Sequence, residues 1–280
     1  MTNDSQRRAP PGQLKWVVSD VDGTIVNRDK EVTEASRRAA QRLRAAGVGL
    51  TIASSRPPWG MRHVAEALQI DGPIAGFNGA VVVDANGKAL RETRIPADAA
   101  RAALDLLAAE KISAWLFTDS QWLVLDPDGP HVAHEQRTIK SDPAVVADFA
   151  PWAAQGCKIV GASDDYDHLA DVARRMGALL GTSANSGLSQ KYYLDVTPPG
   201  VDKGSAVAFV SEAFAIPAAS IAVIGDMDND VAMFRKAGFA IAMGNGSPAA
   251  LAAADMITRS NNDDGFAAAM DALLGGGTEA

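Results

Sequence analysis

The chain has 280 residues, 47% of them hydrophobic, with a formal net charge of -8 and a single cysteine. That is enough apolar material for one large core or a core with an inserted partner, and no apolar run is long enough to span a bilayer. An acidic chain without a basic stripe argues against nucleic acid as a main ligand, and a lone cysteine, Cys157, excludes an intrachain disulfide and fits a reducing cytoplasm.

Residues 1–13 carry Arg7-Arg8 and Pro10-Pro11 but not the apolar stretch of a signal peptide, and they read as a mobile tail. Leu14-Lys15-Trp16-Val17-Val18 then reads as a buried strand. It delivers Asp20-Val21-Asp22-Gly23-Thr24, with two carboxylates one residue apart. Such a pair does not stay doubly ionised at close range without a cation or strong hydrogen bonds. A hard divalent ion with oxygen ligands, Mg²⁺ foremost, meets that need. Gly23 permits a sharp turn and brings backbone N–H groups toward an anion. Taken alone, the pentapeptide reads equally well as an Asp-Gly turn.

Thr33 is placed to cap a helix in which Ala35, Ala39, Leu43 and Ala46 share a face and Gly47 supplies the stop. Val48 to Ala53 is a second buried strand, ending at Ser54-Ser55-Arg56. Strand, helix, strand is the unit of a parallel sheet, so Ser54 is expected at the same sheet edge as Asp20. Its hydroxyl suits a phosphoryl oxygen, although a loop serine that starts the next helix explains it as simply. Ile74 to Phe77 is a short third strand before Asn78-Gly79. Val81-Val82-Val83 and Ala89-Leu90 flank Asn86-Gly87, a hairpin signal.

From there the pattern changes. Helices are predicted over 99–110 and 167–176, with strands over 113–118, 122–125, 158–161 and 190–196. Mixed helices and hairpin-like strands predict an α+β insert over 84–190, between core segments 1–83 and 191–280. Parallel-sheet logic resumes after Pro198-Pro199-Gly200. Lys203-Gly204 opens a helix to Phe214, and Ile221 to Ile224 is a buried strand that delivers Gly225-Asp226-Met227-Asp228-Asn229-Asp230. A helix over 231–237, a strand over 239–243, a helix over 248–254, a short strand at 256–257 and a final helix over 266–274 complete the core. Residues 275–280 read as a frayed end.

Three buried strands therefore end in Asp20, Ser54 and Asp226, at the sheet edge where open α/β folds bind ligands. Five carboxylates gather there, at positions 20, 22, 226, 228 and 230, and Lys203 is the basic residue placed to meet them. A lysine beside a carboxylate nucleophile and a phosphate neutralises both, although most lysines at helix starts are surface residues. Other assignments fit less well. Asp226-x-Asp228-x-Asp230 opens like a calcium loop, but Val231 and Ala237 stand where that loop needs Gly and Glu. No Gly-rich loop precedes Lys-Ser/Thr, and Gly244-Asn245-Gly246 lacks a dinucleotide fingerprint. His131 and His134 have no evident third metal ligand and read as surface residues. Trp59, next to the Ser54 loop, reads either as a substrate wall or as packing, and Cys157 reads most simply as a small buried apolar residue.

Together, Asp20-Val21-Asp22-Gly23-Thr24, Ser54-Ser55-Arg56, Lys203-Gly204 and Gly225-Asp226-x-x-Asn229-Asp230 resemble, in order, the four motifs of the haloacid dehalogenase superfamily. Asn78-Gly79-Ala80 and Leu194 to Gly204 resemble its Cof-type subgroup, with a C2-type cap inserted between the second and third motifs. The second motif departs from the pattern, with Ser54-Ser55 where the family carries Thr-Gly. The resemblance implies a Rossmann-like parallel-sheet core with an inserted α+β cap domain, and a cytoplasmic Mg²⁺-dependent phosphatase of small-molecule phosphate esters, either a monomer or a small homo-oligomer. It implies Asp20 as nucleophile and Asp22 as general acid and base. Ser54, Ser55, Arg56, Lys203 and Asn229 would hold the phosphoryl group. Asp20, the Asp22 carbonyl and Asp226 would hold Mg²⁺, with support from Asp230. A phosphomutase and a non-catalytic Mg²⁺-binding regulator are the rival expectations.

Overall fold

The structure, a computed structural model, describes Arg8 and residues 10–275. It divides into two compact units. One is formed by residues up to Ser55, Met61–Lys88 and the chain from Asp202 onward; the other by Arg56–Gly60 and Ala89–Val201. Among the described residues no helix is long and apolar enough to cross a membrane.

The first unit begins with β1 (Trp16–Ser19), α1 (Glu34–Ala45), β2 (Gly49–Ala53), α2 (Arg62–Leu68), β3 (Ile74–Gly76) and β4 (Val81–Val83). Thr33 caps α1 as expected, its hydroxyl accepting from the Ser36 N–H, and Gly47 follows the helix with φ +70. The asparagine-glycine turn after β4 also forms, with Gly87 at φ +84 and its N–H donating to Asp84 O.

The second unit holds β5 (Ala89–Glu92), α3 (Ala97–Ala109), β6 (Ser113–Phe117), β7 (Trp122–Val124), α4 (Val132–Ile139), β8 (Ala144–Val145), β9 (Lys158–Ala162), α5 (Tyr166–Leu180), β10 (Asn185–Gln190) and β11 (Tyr193–Thr197). Six of these strands form a sheet in the order β10-β11-β9-β6-β7-β8, antiparallel except for β7 and β8. Side chains alternate across such a sheet. Leu116, Leu123, Ile159, Leu194 and Val196 face the apolar sides of α3 and α5. Trp115, Phe117, Trp122, Lys158, Tyr193 and Asp195 take the alternate positions. There Trp115 meets Trp122 and Tyr193 edge-on at 5.4 and 5.2 Å.

The insert was expected to end at residue 190, with the strand near 190–196 returning to the core. It does not: β11 pairs antiparallel with β9, and the first unit resumes at Asp202. The sequence Tyr-Leu-Asp-Val-Thr alternates, which suits a sheet with two unlike faces rather than a strand buried on both sides in a parallel sheet. The short helix α4, of which only Val132 and Ile139 are buried, and the polar, largely exposed edge strand β10 are not anticipated by the sequence reading.

The first unit resumes with α6 (Gly204–Ala213), β12 (Ile221–Gly225), α7 (Val231–Lys236), β13 (Phe239–Ala242), α8 (Pro248–Ala253), β14 (Met256–Ile257) and α9 (Gly265–Leu273). Its strands lie in the order β14-β13-β12-β1-β2-β3-β4, all parallel until β4 turns antiparallel. Val17, Val18, Val223 and Ala240 are fully buried, as a parallel sheet covered on both faces requires. From β1 the chain moves to β2 on one side and later returns to β12 on the other. The carboxyl end of β1 is therefore the point where strand order reverses, the crevice in which open α/β sheets bind ligands.

The expected mobile tail lies mostly outside the described residues, since 1–7 and 9 are not among them. Among its described members, which are Arg8 and residues 10–13, Arg8 is anchored: it pairs with Asp255 at 2.7 Å and donates to the Ala237 and Phe234 carbonyls. The expected frayed end over 275–280 lies outside the described residues except for Gly275, whose N–H donates to Ala272 O.

Candidate active site

In the parallel register Ser19 of β1 stands level with Ile224 of β12 and Ile52 of β2. The next peptide is locked too, with the Asp20 N–H donating to Ile224 O at 2.9 Å. Asp20, Ser54 and Asp226 consequently leave the sheet at one edge. Ser54 is buried and its backbone is fixed from two sides: its N–H donates to Ala75 O and its carbonyl accepts from the Asn78 N–H at 2.8 Å.

Lys203 joins this edge from the start of α6. It is 3% exposed, and its Nζ lies 2.6 Å from Asp20 Oδ1 and 2.5 Å from Asp230 Oδ1. Asp230 is fully engaged, because its second oxygen accepts the Asp226 and Met227 N–H groups at 2.8 Å each. It thus holds the β12 loop in shape while steadying the ammonium. Asp226 differs. Its Oδ2 takes a 3.4 Å contact from Asn245 Nδ2, and its Oδ1 is buried without any hydrogen-bond partner. Carboxylate oxygens from Asp20, Asp226 and Asp230 all lie within 4.8 Å of one another. Gly23, at φ +74, makes this approach possible: a Cβ there would stand 2.2 Å from Asp226 Oδ2.

The charges do not balance. Burial pushes the Asp20 carboxyl well above the usual range; Lys203 opposes the shift while Asp230 and Asp226 add to it. Asp226 is raised to about 6, first by burial and then by Asp230. Burial works against the Lys203 ammonium, but Asp20 and Asp230 outweigh it and keep the lysine charged. A buried acceptor without a donor, beside carboxyls driven toward their protonated forms, is an arrangement that a bound cation would satisfy. The donor set is all oxygen, which suits a hard divalent ion.

The remaining predicted residues are placed less tightly. Asp22 is half-buried and pairs with Lys30 at 2.7 Å. Asn229 and Asp228 are exposed at the end of the β12 loop, Asp228 accepting from the Ser247 hydroxyl. Ser55 is half-buried. Arg56 falls in the second unit, where it is buried and donates to Thr138 O at 3.0 Å. His131 contacts Asp164 at 3.0 Å and stacks on Tyr192 at 4.4 Å; among the described residues the only carboxylate, histidine or cysteine group that gathers for a metal is Asp20, Asp226 and Asp230. Cys157 is buried and its thiol is pushed up to about 12 by burial and then by Glu92, so it is inert. Sequence reasoning missed two residues at the edge, Lys30 and Asn245. Asn245 donates to Gly23 O at 2.9 Å, and its flanking glycines were the only trace of it in the sequence.

Comparison with known proteins gives a consistent result. A family model described as haloacid dehalogenase-like hydrolase matches residues 17–270. A 5-amino-6-(5-phospho-D-ribitylamino)uracil phosphatase of Bacillus subtilis is 26% identical, covering 94% of this chain and 99% of that protein. An HMP-PP phosphatase of Cronobacter sakazakii is 29% identical over 83% of this chain and 85% of its own. The crystal structure of a haloacid dehalogenase-like hydrolase from Bacteroides thetaiotaomicron superposes with a TM-score of 0.87 at 26% identity, covering 93% of this chain and all of that one.

Proposed function

The chain belongs to the haloacid dehalogenase-like hydrolases, and from that premise we propose that it is a Mg²⁺-dependent phosphatase of small-molecule phosphate monoesters working through an aspartyl-phosphate. The observation that carries the reading is the buried Lys203 held between Asp20 and Asp230, with the unpartnered Asp226 Oδ1 beside it. Phosphoryl transfer needs in-line positioning and neutralised charge more than it needs covalent ingenuity. An ammonium next to a strand-end carboxylate supplies both.

In this reading Asp20 Oδ attacks phosphorus as the ester P–O bond breaks, and Asp22 gives its proton to the departing alkoxide. Asp22 then takes a proton from water as the water oxygen attacks phosphorus, releasing phosphate and restoring the Asp20 carboxylate. The Lys203 ammonium orients the Asp20 carboxylate and offsets the charge of the transferring group. The Ser54 hydroxyl and the Asn229 amide are its expected hydrogen-bond donors, with Ser55 and Arg56 from the same loop. Asp20, the Asp22 carbonyl and Asp226 would hold Mg²⁺, and Asp230 would steady them. When bound, the ion would supply positive charge to the site and allow Asp20 to stay ionised. The relatives' names, phosphatases of a ribitylaminouracil phosphate and of HMP-PP, support small metabolite esters as the substrate class.

The test is a panel of metabolite phosphate esters incubated with Mg²⁺ and, separately, with chelator. Free phosphate that appears only with the metal supports the reading. An isomerised ester without free phosphate would make the protein a mutase, and no turnover of any ester would leave a binding protein.

A further inference from the structure

The segment that follows Asp22 is a small hairpin, tied to itself by bridges between Asp22 and Val26 and between Val26 and Val32. Within the hairpin the Thr24, Ile25 and Val26 N–H groups share Val21 O, the Asn27 N–H donates to Glu31 O, the Lys30 N–H to Asn27 O, and the Asp29 and Glu31 N–H groups to Asn27 Oδ1. Further support arrives from the far end of the chain. Asn245 Nδ2 donates to Gly23 O at 2.9 Å and touches Asp226 Oδ2 at 3.4 Å. The Asn245 Oδ1 accepts from the Asn261 N–H at 2.9 Å, and Asn261 Nδ2 donates to Val26 O at 2.9 Å. The Arg28 N–H donates to Asn262 Oδ1 at 2.9 Å, and the Thr33 hydroxyl donates to Asp264 Oδ1 at 2.7 Å. Four of these contacts cross between the segments, at Gly23, Val26, Arg28 and Thr33, and so run the length of the hairpin.

The turn that makes these contacts is itself well held. Asp264 has φ +54 and leads into α9, whose Phe266, Ala269 and Met270 are buried and whose Asp271 pairs with Arg42 of α1 at 2.7 Å. We propose that Asn245 and the Asn261–Asp264 turn form a strap that positions the acid loop, with Asn245 as the positioning residue that sets the Asp22–Gly23 backbone against Asp226. This rests on the phosphatase reading only in giving that loop its chemical purpose. Asn245 performs no step of its own; it fixes two groups whose separation decides whether one cation and one phosphoryl group fit between them.

Hydrogen exchange on the whole protein, without substrate or metal, tests the strap independently of activity. Asn245→Ala and Asn261→Ala are expected to speed exchange about tenfold or more in peptides covering residues 21–33. Peptides of α1 and the parallel sheet should stay as in the parent, with a melting midpoint within a few degrees. Should either variant fold poorly, Asn245→Ser and Asn262→Ala carry the same measurement. In turnover, Asn245→Ala should lower kcat about tenfold with KM nearly unchanged. Calorimetric Mg²⁺ affinity should fall with it, and fall less for Asn261→Ala, which does not touch Asp226. Unaltered exchange over 21–33, or faster exchange spread evenly through α1 and the sheet, overturns the strap. A parent protein that releases no phosphate overturns the phosphatase reading instead and leaves the exchange result to decide the strap.

Discussion

Each of the two units buries a lysine, and the two are held differently. In the second unit Lys158 pairs with Asp195 at 2.7 Å in the middle of a sheet, one charge against one. In the first, Lys203 sits between Asp20 and Asp230 at the end of a sheet, with Asp226 as a third carboxylate in reach. The pair in the second unit is balanced in charge, and although Asp195 Oδ1 is also buried without a hydrogen-bond partner, no cluster of carboxylates gathers around it among the described residues. The cluster in the first unit carries an excess of negative charge that its own ammonium cannot cancel. Buried charge alone is therefore a poor pointer to chemistry; the unmatched remainder is the useful signal.

The comparison breaks most sharply at Asp20. Asn in its place keeps the shape and removes the proposed nucleophile, so phosphate release should fall by at least about 10³-fold. The same isosteric change at Asp195 should leave kcat within a few-fold, read in the same assay. Lysine replacement comes next. Lys203→Met leaves three carboxylates without an ammonium and should cost about 3–5 kcal/mol in metal-free denaturation, along with most of the activity. Lys158→Met strands only Asp195, and a second change, Asp195→Leu, should recover most of the loss because a buried pair and an apolar pair of similar volume are often equivalent. No such rescue is expected from Asp230→Leu beside Lys203→Met. Urea titrations of the single and double variants decide between a structural pair and a chemical one.

A smaller effect follows from pH. Asp226 is raised to about 6 by burial and by Asp230, so the folded metal-free protein holds its proton more tightly than the unfolded chain does. Between about pH 4 and 6 the native state then binds more protons, and stability falls as pH rises through that window, by up to about 3 kcal/mol for this one group. A bound divalent ion cancels the penalty by favouring the ionised carboxylates. The melting midpoint of the metal-free protein should thus drop from pH 5 to pH 8, and the increment gained on adding Mg²⁺ should be larger at pH 8. An equal increment at both values would mean that the cation does not bind at Asp226.

Much of this was legible in the residues, for reasons that differ along the chain. The core strands announce themselves because a parallel strand buried on both faces must be an apolar run, and Trp16–Ser19, Gly49–Ala53 and Ile221–Gly225 are such runs. Strand-end position then gathered Asp20, Ser54 and Asp226 without any knowledge of contacts. The boundary of the insert was misread because β11 alternates weakly and lies next to a segment that resembles the core. Asn245 and the Asn261–Asp264 turn were invisible for a different reason. Asparagine and aspartate in loops look like turn formers whatever they touch, and their partners lie more than 220 positions away. Local chemistry is written in the sequence, whereas a long-range strap exists only once the sheet has formed.

The smallest expected effect concerns the second motif, where this chain has Ser54-Ser55 in place of threonine and glycine. A glycine is indispensable only where the backbone is left-handed or a Cβ would collide. Ser55 is not among the residues with positive φ, and it is half-buried rather than wedged into the core. Its backbone is thus one that serine adopts without strain, and Ser55→Gly should change kcat/KM by less than about twofold while costing stability through the greater freedom of the unfolded chain, by about 0.4–1 kcal/mol. Ser54→Ala is the informative contrast, since it removes a buried hydroxyl at the strand end and should lower kcat/KM by about tenfold or more. Equal losses at the two positions would remove Ser54 from the residues proposed to hold the phosphoryl group.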